Sequence, residues 1–152
     1  MEAPDIRVKR IYERAHAADG TRVLVERIWP CGVSAESAAL DLWLPNLGPT
    51  PALRAWFGRD PGRFPAFRAA YEQALAAREQ AIGRLLALDC PSRLTLLYIP
   101  RDRVHNHATI LADYLRRRLL DRRVYRADSP PETRAGRRAP AMAQEGTYVG
   151  GA

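Results

Sequence analysis

The sequence has little of what would point directly to a class of protein. Its 152 residues include only two cysteines, Cys31 and Cys90, too few for a disulfide framework or a zinc site. No run of about 18 apolar residues is present, and the N-terminus lacks a charged start followed by an apolar stretch. We therefore expect a cytoplasmic protein with free thiols and no membrane span.

Common catalytic and cofactor motifs are also missing. The sequence contains no glycine-rich phosphate loop, no dinucleotide-binding fingerprint and no nucleophile elbow. His105 and His107 stand two positions apart, so on a helix they would point in very different directions, and no second pair of metal ligands stands out. These residues therefore do not predict a metal site, and the sequence does not indicate a cofactor. The missing motifs argue against the common nucleotide-binding enzymes.

The net charge of +7 is concentrated toward the C-terminal end of the chain. Residues 1–115 carry 15 basic and 13 acidic side chains, whereas residues 116–138 carry nine arginines and three acidic residues. Nucleic-acid binding through Arg116 to Arg126 and the tail is therefore one hypothesis, and such binding would be steeply salt-dependent. Arginine supplies 23 of the 24 basic residues, in a sequence rich in alanine and proline. This bias is typical of a GC-rich genome, so the arginine count alone is weak evidence for phosphate recognition.

The apolar pattern predicts an α/β fold, with a small, mainly parallel sheet flanked by helices. Short apolar runs predict strands at residues 6–11, 23–28 and 94–99. Apolar residues at helical spacing predict one long helix over residues 64–88 and another that begins near Asn106. The long helix suits a parallel crossover, so the second and third of these strands should be parallel neighbours.

Short helices and a short extended segment are predicted between the second strand and the long helix. Ser34 is the predicted N-cap of a short helix that ends at about Leu40. Residues 42–47 are apolar but interrupted by proline, which predicts a short edge strand or an extended loop. Thr50-Pro51 predicts the start of a helix that Gly58 closes. We expect the aromatic residues of this region in the core rather than on a stacking surface: Trp43, Trp56, Phe57, Phe64, Phe67 and Tyr71.

The sequence leaves the relative direction of the first two strands open. Residues 12–20 are few for a parallel crossover, so the first two strands are either parallel or a hairpin with a long loop. A parallel arrangement would place Arg10 beside Arg27, and a hairpin would place it at the opposite edge.

The chain length predicts a single domain, which we place at residues 1–126. The remaining residues, 127–152, are rich in proline, glycine, alanine and arginine and lack periodicity, which predicts a disordered basic tail.

The stretch VLVERIWPCGV, from Val23 to Val33, is the first candidate site. The apolar run stops where proline and glycine constrain the backbone, so several functional groups are delivered together at a strand end. These groups belong to Arg27, Trp29, Pro30, Cys31 and Gly32. The alternatives are a salt bridge from Arg27 to Glu26 or Asp41, and simple packing of Trp29 at the rim. Cys31 would be a nucleophile only if a neighbouring positive charge lowered its pKa.

A second group of polar residues surrounds the end of the last strand. Tyr98 lies near the end of the strand predicted over residues 94–99, Asp102 or Asn106 could cap the following helix, and His107 lies near the start of that helix. Ligands of open α/β sheets tend to lie at such strand ends, and free N–H groups of a helix start favour anions. His107 could donate hydrogen bonds or transfer a proton, because imidazole titrates near neutrality. The alternative is a histidine that packs against Leu111 and Tyr114.

The motif RVLVERIWPCGV resembles the signature R-V-L-V-D-R-L-W-P-R-G-V of the DUF488, or YeaO-like, family of uncharacterised bacterial proteins. The similarity continues through LDLW at residues 40–43, LRAWFG at residues 53–58, and TLLY at residues 95–98 followed by NHA at residues 106–108. Glu26 and Cys31 stand where the family usually has Asp and Arg. The loss of that arginine weakens any anion-binding role that the resemblance implies for the motif.

These observations support two functional hypotheses. In the first, the protein is an enzyme or a binder for a small anionic or phosphorylated ligand. Arg27 would hold the anion, residues 29–32 would form a wall, and Asn106 with His107 would supply hydrogen bonding or proton transfer, with Arg10 and Tyr98 nearby. In the second, the protein is a nucleic-acid-binding or regulatory protein that uses the C-terminal arginines.

Overall fold

Four parallel strands form the centre of the fold in the computed structural model, which describes residues 5–88 and 93–128, with side chains up to Asp121. The strands are β1 (Asp5–Arg10), β2 (Thr21–Leu24), β3 (Leu42–Trp43) and β4 (Arg93–Tyr98), in the order β1-β4-β2-β3. β4 pairs in parallel with both β1 and β2, and β2 pairs in parallel with β3. The predicted α/β class is confirmed, and so is the parallel pairing of the second and last of the predicted strands.

The hairpin alternative for the first two strands is excluded by this strand order. β1 and β2 flank β4 on either side and do not pair with each other. Arg10 therefore lies opposite Tyr98 of β4 and is separated from Arg27 by that strand. β2 also ends at Leu24, earlier than predicted, so that Glu26 and Arg27 follow the strand rather than belong to it.

The helices begin and end close to the positions that their capping residues predict. They are α1 (Ala35–Ala38), α2 (Pro51–Phe57), α3 (Phe64–Ala76), α4 (Glu79–Leu86) and α5 (His107–Asp128). Ser34 and Thr50 accept backbone N–H groups as N-caps, and Gly58 closes α2 in a left-handed conformation. Residues 42–47 form the short edge strand β3 and a 3-10 turn at Pro45–Leu47.

The single long helix predicted over residues 64–88 is wrong, because the chain forms two helices that break at Ala77 and Arg78. The apolar stripe buries Leu75 on α3 and resumes at Ile82 on α4. Charged Arg78 and Glu79 occupy the intervening position on the stripe. No buried apolar side chain therefore holds this turn of helix against the sheet.

The two faces of the sheet bury separate clusters, since successive strand residues point to opposite sides. Val23 and Leu96 contribute to a large cluster with α3, α4 and α5. Leu24 and Leu97 contribute to a small cluster with Ile11 and Ala38. Because β2 and β4 are buried on both faces, they fix the positions of the residues that follow Leu24 and Tyr98.

The aromatic residues predicted for the core divide into two groups. Phe57, Phe67 and Tyr71 are buried, and Phe64 is half-buried against them. Trp43 and Trp56 are exposed to 37% and 45%, so their assignment to the core is wrong. Trp43 lies on the edge strand and its indole N–H donates to the Glu26 carbonyl, while Trp56 lies under the guanidinium of Arg63 on the outer side of α2.

The chain divides into two units by its internal contacts, residues 1–120 and residues 121–152. The first contains the sheet and its helices. Of the second, the structure describes only residues 121–128, the last part of α5. The predicted disordered tail lies outside the described residues apart from 127 and 128, and the domain boundary at 126 stays a prediction. None of the helices in the described part of the chain combines the length and apolar composition needed to cross a bilayer.

Gly20 sets the approach of β2 to β4. It ends the 3-10 turn at Ala17–Asp19 with a φ of 68°, a backbone conformation that favours glycine. A Cβ atom at this position would lie 2.4 Å from the carbonyl oxygen of Arg93, the first residue of β4. No other residue fits this position without moving one of the two strands.

We expect Gly20→Ala to destabilise the fold by about 2 kcal/mol or more, since it adds backbone strain to a steric clash. Gly83→Ala on the exposed face of α4 is the matched control, because a Cβ there meets no atom within 4 Å. The control should be neutral or stabilising by about 0.5–1 kcal/mol. Urea unfolding of both variants measures the difference, and equal stability would contradict this role of Gly20.

Candidate functional site

A cleft of about 750 Å³ lies beyond the carboxyl ends of β1 and β4. Parallel sheets place ligands at this edge, because the strand ends and the following helix starts meet there. The floor is apolar and includes Phe57, Phe67 and Ile99. The polar lining consists of four arginines, Tyr12 and a group of residues before and at the start of α5: Arg10, Arg54, Arg59, Arg101, Asp102, His105, Asn106 and His107.

Two of the four arginines are held in fixed orientations. Arg10 donates from Nε and Nη2 to the carbonyl oxygens of Ile99 and Pro100, at 2.9–3.2 Å, and its guanidinium lies 4.9 Å from the centre of the Tyr12 ring. Arg54 donates from Nη2 to the Glu26 carboxylate at 2.6 Å. Because carbonyl oxygens carry no net charge, Arg10 keeps its positive charge uncompensated, whereas Glu26 offsets that of Arg54.

The other two arginines have no partner within the described residues. Arg59 and Arg101 are exposed, and neither forms a hydrogen bond, ion pair or ring contact there. Arg59 has a φ of 63°, in the left-handed region that side chains other than glycine seldom adopt, and it directly follows the left-handed Gly58. Two guanidinium groups are thus available to a ligand in the cleft.

The segment from Asp102 to His107, which ends at the start of α5, also lines the cleft, and side-chain hydrogen bonds cap its turns. Asn106 accepts the Thr109 N–H at 3.0 Å, so it is the N-cap of α5 and not Asp102. Asp102 instead accepts the backbone N–H groups of Val104 and His105, and its second oxygen lies 2.9 Å from His105 Nδ1. The carboxylate of Asp102 is therefore committed to this turn.

His107 is buried beneath the cleft, with 1% of its surface exposed. Its Nε2 lies 2.7 Å from the Val25 carbonyl oxygen, which fixes Nε2 as the protonated nitrogen, because a carbonyl can only accept. Burial lowers the pKa of His107, and the nearby Glu26 carboxylate, 3.7 Å from Nε2, opposes that shift. The ring packs edge-on against Tyr71, with the ring centroids 5.7 Å apart.

Glu26 links three of the segments that form the cleft. Its carboxylate is 1% exposed and accepts from the Ile99 N–H at 2.8 Å and from Arg54 at 2.6 Å. With His107 also in its neighbourhood, this one side chain contacts the end of β4, the helix α2 and the start of α5. The orientation of Arg54 toward the cleft depends on it.

The segment around Arg27 lies outside the lining of this cleft. Arg27 donates from Nε to the carbonyls of Gly48 and Pro49, and partial burial lowers its pKa. Neither Glu26 nor Asp41 forms a salt bridge with it among the described residues. Of the predicted binding residues, Arg10, Asn106 and His107 line the cleft together, whereas Arg27 and Tyr98 do not. Tyr98 is buried within β4.

Residues 29–32, the predicted wall, are not among the residues that line this cleft, whereas Tyr12 is. The Tyr12 hydroxyl donates to the Cys31 carbonyl at 3.1 Å. The Trp29 indole donates to the Val33 carbonyl at 2.7 Å and packs edge-on against Trp43. Pro30 is buried, and Gly32 turns with a φ of 78°. Cys31 is an exposed free thiol, and it contributes its backbone rather than its side chain.

Arg54, Arg59 and Arg101 were missed by the sequence-based interpretation. Arg54 belongs to the LRAWFG segment that resembles the family, and this resemblance could have marked Arg54 as a candidate site residue. Arg101 follows β4 after Ile99 and Pro100, and Arg59 directly follows the C-cap of α2, so their positions near element ends were a weaker signal.

The comparisons with known proteins define the family. Residues 5–133 match the family model described as "Inactive DUF488-N3 subclade". The chain is 39% identical over 112 residues to "Uncharacterized protein YeaO" of Escherichia coli (strain K12), which covers 74% of this chain and 97% of that protein. It is 34% identical over 110 residues to "Uncharacterized protein Rv3073c" of Mycobacterium tuberculosis (strain ATCC 25618 / H37Rv), covering 72% and 92%. No solved structure matches it.

The chain therefore belongs to the DUF488 family, as its motifs predicted, and within that family it is similar to YeaO.

The turn that begins at Asp102 gives a pH-dependent prediction. Hydrogen bonds from the His105 and Val104 N–H groups, and from the His105 ring, lower the pKa of Asp102 from 3.8 to about 2. A carboxylate with a lowered pKa contributes stability above its unfolded pKa and loses that contribution as the pH falls. The contribution of Asp102 should thus be complete above about pH 4 and disappear by about pH 2.

We expect Asp102→Ala to be less stable than wild type at pH 7, with a difference that shrinks between pH 4 and pH 2. Thermal unfolding across this range tests the sign, and the carboxyl 13C shift of Asp102 should titrate near pH 2. A titration near the ordinary value of 3.8 would contradict the hydrogen bonding described here.

Proposed function

We propose that this protein binds a small organic anion in the cleft between α2 and the segment before α5, as a binding protein rather than an enzyme. The observation that carries the proposal is the pair Arg59 and Arg101, which line one cleft and have no partner within the described residues. Arg10 adds a third positive charge, and among the described residues its guanidinium hydrogen bonds go to the neutral carbonyl oxygens of Ile99 and Pro100. An exposed guanidinium without a carboxylate is the usual recognition group for anions.

The chemistry of the lining supports binding more than catalysis. Within the described residues, the lining contains no serine, threonine, cysteine or lysine. Asp102 is committed to the turn before α5, and the Nε2 proton of His107 is committed to a carbonyl. His105 is held by Asp102 at Nδ1 and keeps Nε2 without a hydrogen-bond partner among the described residues, so the preference for binding rests on the missing side-chain nucleophile. A general base needs a free position toward the substrate, and a nucleophile needs an activating base. The description of the matching subclade as inactive agrees with this interpretation.

Nucleic-acid binding through the C-terminal arginines has less support among the described residues. Arg117 pairs with Glu72 at 2.8 Å, and Arg118 pairs with Glu79 at 2.9 Å. Arg116 pairs with Asp113 and also donates to the Ile6 carbonyl. Arginines that already have carboxylate partners have less to gain from phosphate groups. Arg122 to Arg126 and the tail stay predicted contacts, because their side chains lie outside the described residues. A cytoplasmic location also stays a prediction.

The experiment compares thermal stability in the presence of organic carboxylates, sulfates and phosphates at constant ionic strength. A ligand that binds only the folded state raises the melting temperature in proportion to the logarithm of its concentration. We expect at least one of these anions to stabilise the wild-type protein. Arg59→Ala and Arg101→Ala should reduce that effect, on the order of tenfold in affinity for each.

Arg84→Ala is the matched control, since it removes one exposed arginine from α4, away from the cleft. It should leave the stabilisation unchanged. The proposal is wrong if no anion stabilises the wild type, or if the control weakens binding as much as the cleft variants do.

A further inference from the structure

The charge of the cleft suits a ligand with two negative charges. Four arginines line the cleft. Two carboxylates offset part of their positive charge: Asp102, which belongs to the lining, and Glu26, which accepts a hydrogen bond from Arg54. With histidine counted as neutral, two positive charges remain. Glu13, on the loop after β1, pairs with Arg103 at 2.7 Å, so this pair leaves the balance unchanged. A monoanion would leave one of these charges without a partner.

The number of free donors also exceeds what a carboxylate can accept. Arg59 and Arg101 offer complete guanidinium groups. Arg10 retains Nη1, and Arg54 retains Nε and Nη1, after the contacts that hold them in place. A phosphate monoester has three terminal oxygens, each with several acceptor positions, and guanidinium groups bind it through paired N–H donors. Arg10 and Arg54 are already oriented, so less conformational entropy is lost on binding.

The size and the floor of the cleft require more than a phosphate ion. A volume of about 750 Å³ lies within the range of about 300–1,000 Å³ that holds drug-sized ligands. The floor includes Phe57 and Phe67, which stack with centroids 4.5 Å apart and are 8% and 2% exposed, and the half-buried Ile99 also lines the cleft. An inorganic ion would leave this apolar surface in contact with water. An organic group attached to the phosphate would cover it.

We infer that the ligand is a phosphate monoester of an apolar or aromatic group, with its phosphate among Arg10, Arg59 and Arg101 and its organic part on the Phe57–Phe67 floor. This inference rests on the proposed function, which requires only an organic anion. It assigns a dianionic class to the ligand and a separate role to each half of the cleft.

The experiment is isothermal titration calorimetry of the full chain at pH 8 with four probes. They are phenyl phosphate, phenyl sulfate, benzoate and inorganic phosphate. Phosphates are dianions at this pH, because their second pKa is about 6, whereas the sulfate and the carboxylate are monoanions. Phenyl sulfate has nearly the same shape as phenyl phosphate, so it separates charge from size. Inorganic phosphate separates the phosphate group from the organic part.

Phenyl phosphate should bind on the order of tenfold or more tightly than each of the other three probes. Arg59→Ala and Arg101→Ala should each reduce this preference over phenyl sulfate, whereas Arg84→Ala should leave it unchanged. If phenyl sulfate or benzoate binds as tightly, the dianion assignment is wrong while the proposed anion site stands. If inorganic phosphate binds as tightly, the role of the apolar floor is wrong. If none of the four binds, the dianion class and the proposed function both fall.

Discussion

The buried carboxylate of Glu26 is the interaction on which the cleft depends. It lies just beyond β2 and accepts hydrogen bonds from the end of β4 and from Arg54 of α2, within 3.7 Å of the His107 ring. A carboxylate with 1% exposure is stable only when its oxygens have partners, so the fold must bring these segments together around it. The lining of the cleft is a consequence of that requirement, since Ile99, Arg54 and His107 all belong to it.

This dependence gives the central motif a structural role. Val25 and Glu26 directly follow β2. The Glu26 carboxylate is buried, and the Val25 carbonyl accepts a hydrogen bond from His107 Nε2. Arg27 anchors the backbone of Gly48 and Pro49, and the Trp29 indole closes its own turn. The motif thus supports the cleft through contacts with His107 and Ile99, two of its lining residues. The cations that line the cleft come from β1, α2 and the segments that follow α2 and β4.

The substitution at Cys31 is less consequential in this arrangement than its place in the motif suggests. The side chain is exposed and the contact with Tyr12 uses the backbone carbonyl, which any residue supplies. Replacing the usual family arginine with cysteine removes a positive charge from the outer loop and leaves the four arginines of the cleft lining in place. An anion-binding role therefore does not require an arginine at this position.

Much of the fold followed from periodicity and capping residues, because these depend on short-range chemistry. The strands, the caps at Ser34 and Thr50, and the parallel pairing of β2 with β4 are examples. The helix break at Ala77 and the exposure of Trp43 and Trp56 were not predictable with the same rules, since they depend on which neighbours a side chain meets. Arg10, Asn106 and His107 could be named from their positions near the ends of β1 and β4, and all three line the cleft, whereas Arg59 and Arg101 were overlooked. Their significance lies in having no partner among the described residues, and this property is visible only in three dimensions.

The location of the ligand is the most direct test of this account. Backbone 1H–15N chemical shifts, recorded while phenyl phosphate is added, report which residues change their environment. We expect the largest shifts at Arg59, Arg101 and the residues around Asn106, with small changes at Cys31 and Gly32. Largest shifts at Cys31 and Gly32, with none at Arg59 and Arg101, would place the ligand at the motif loop and contradict the central claim.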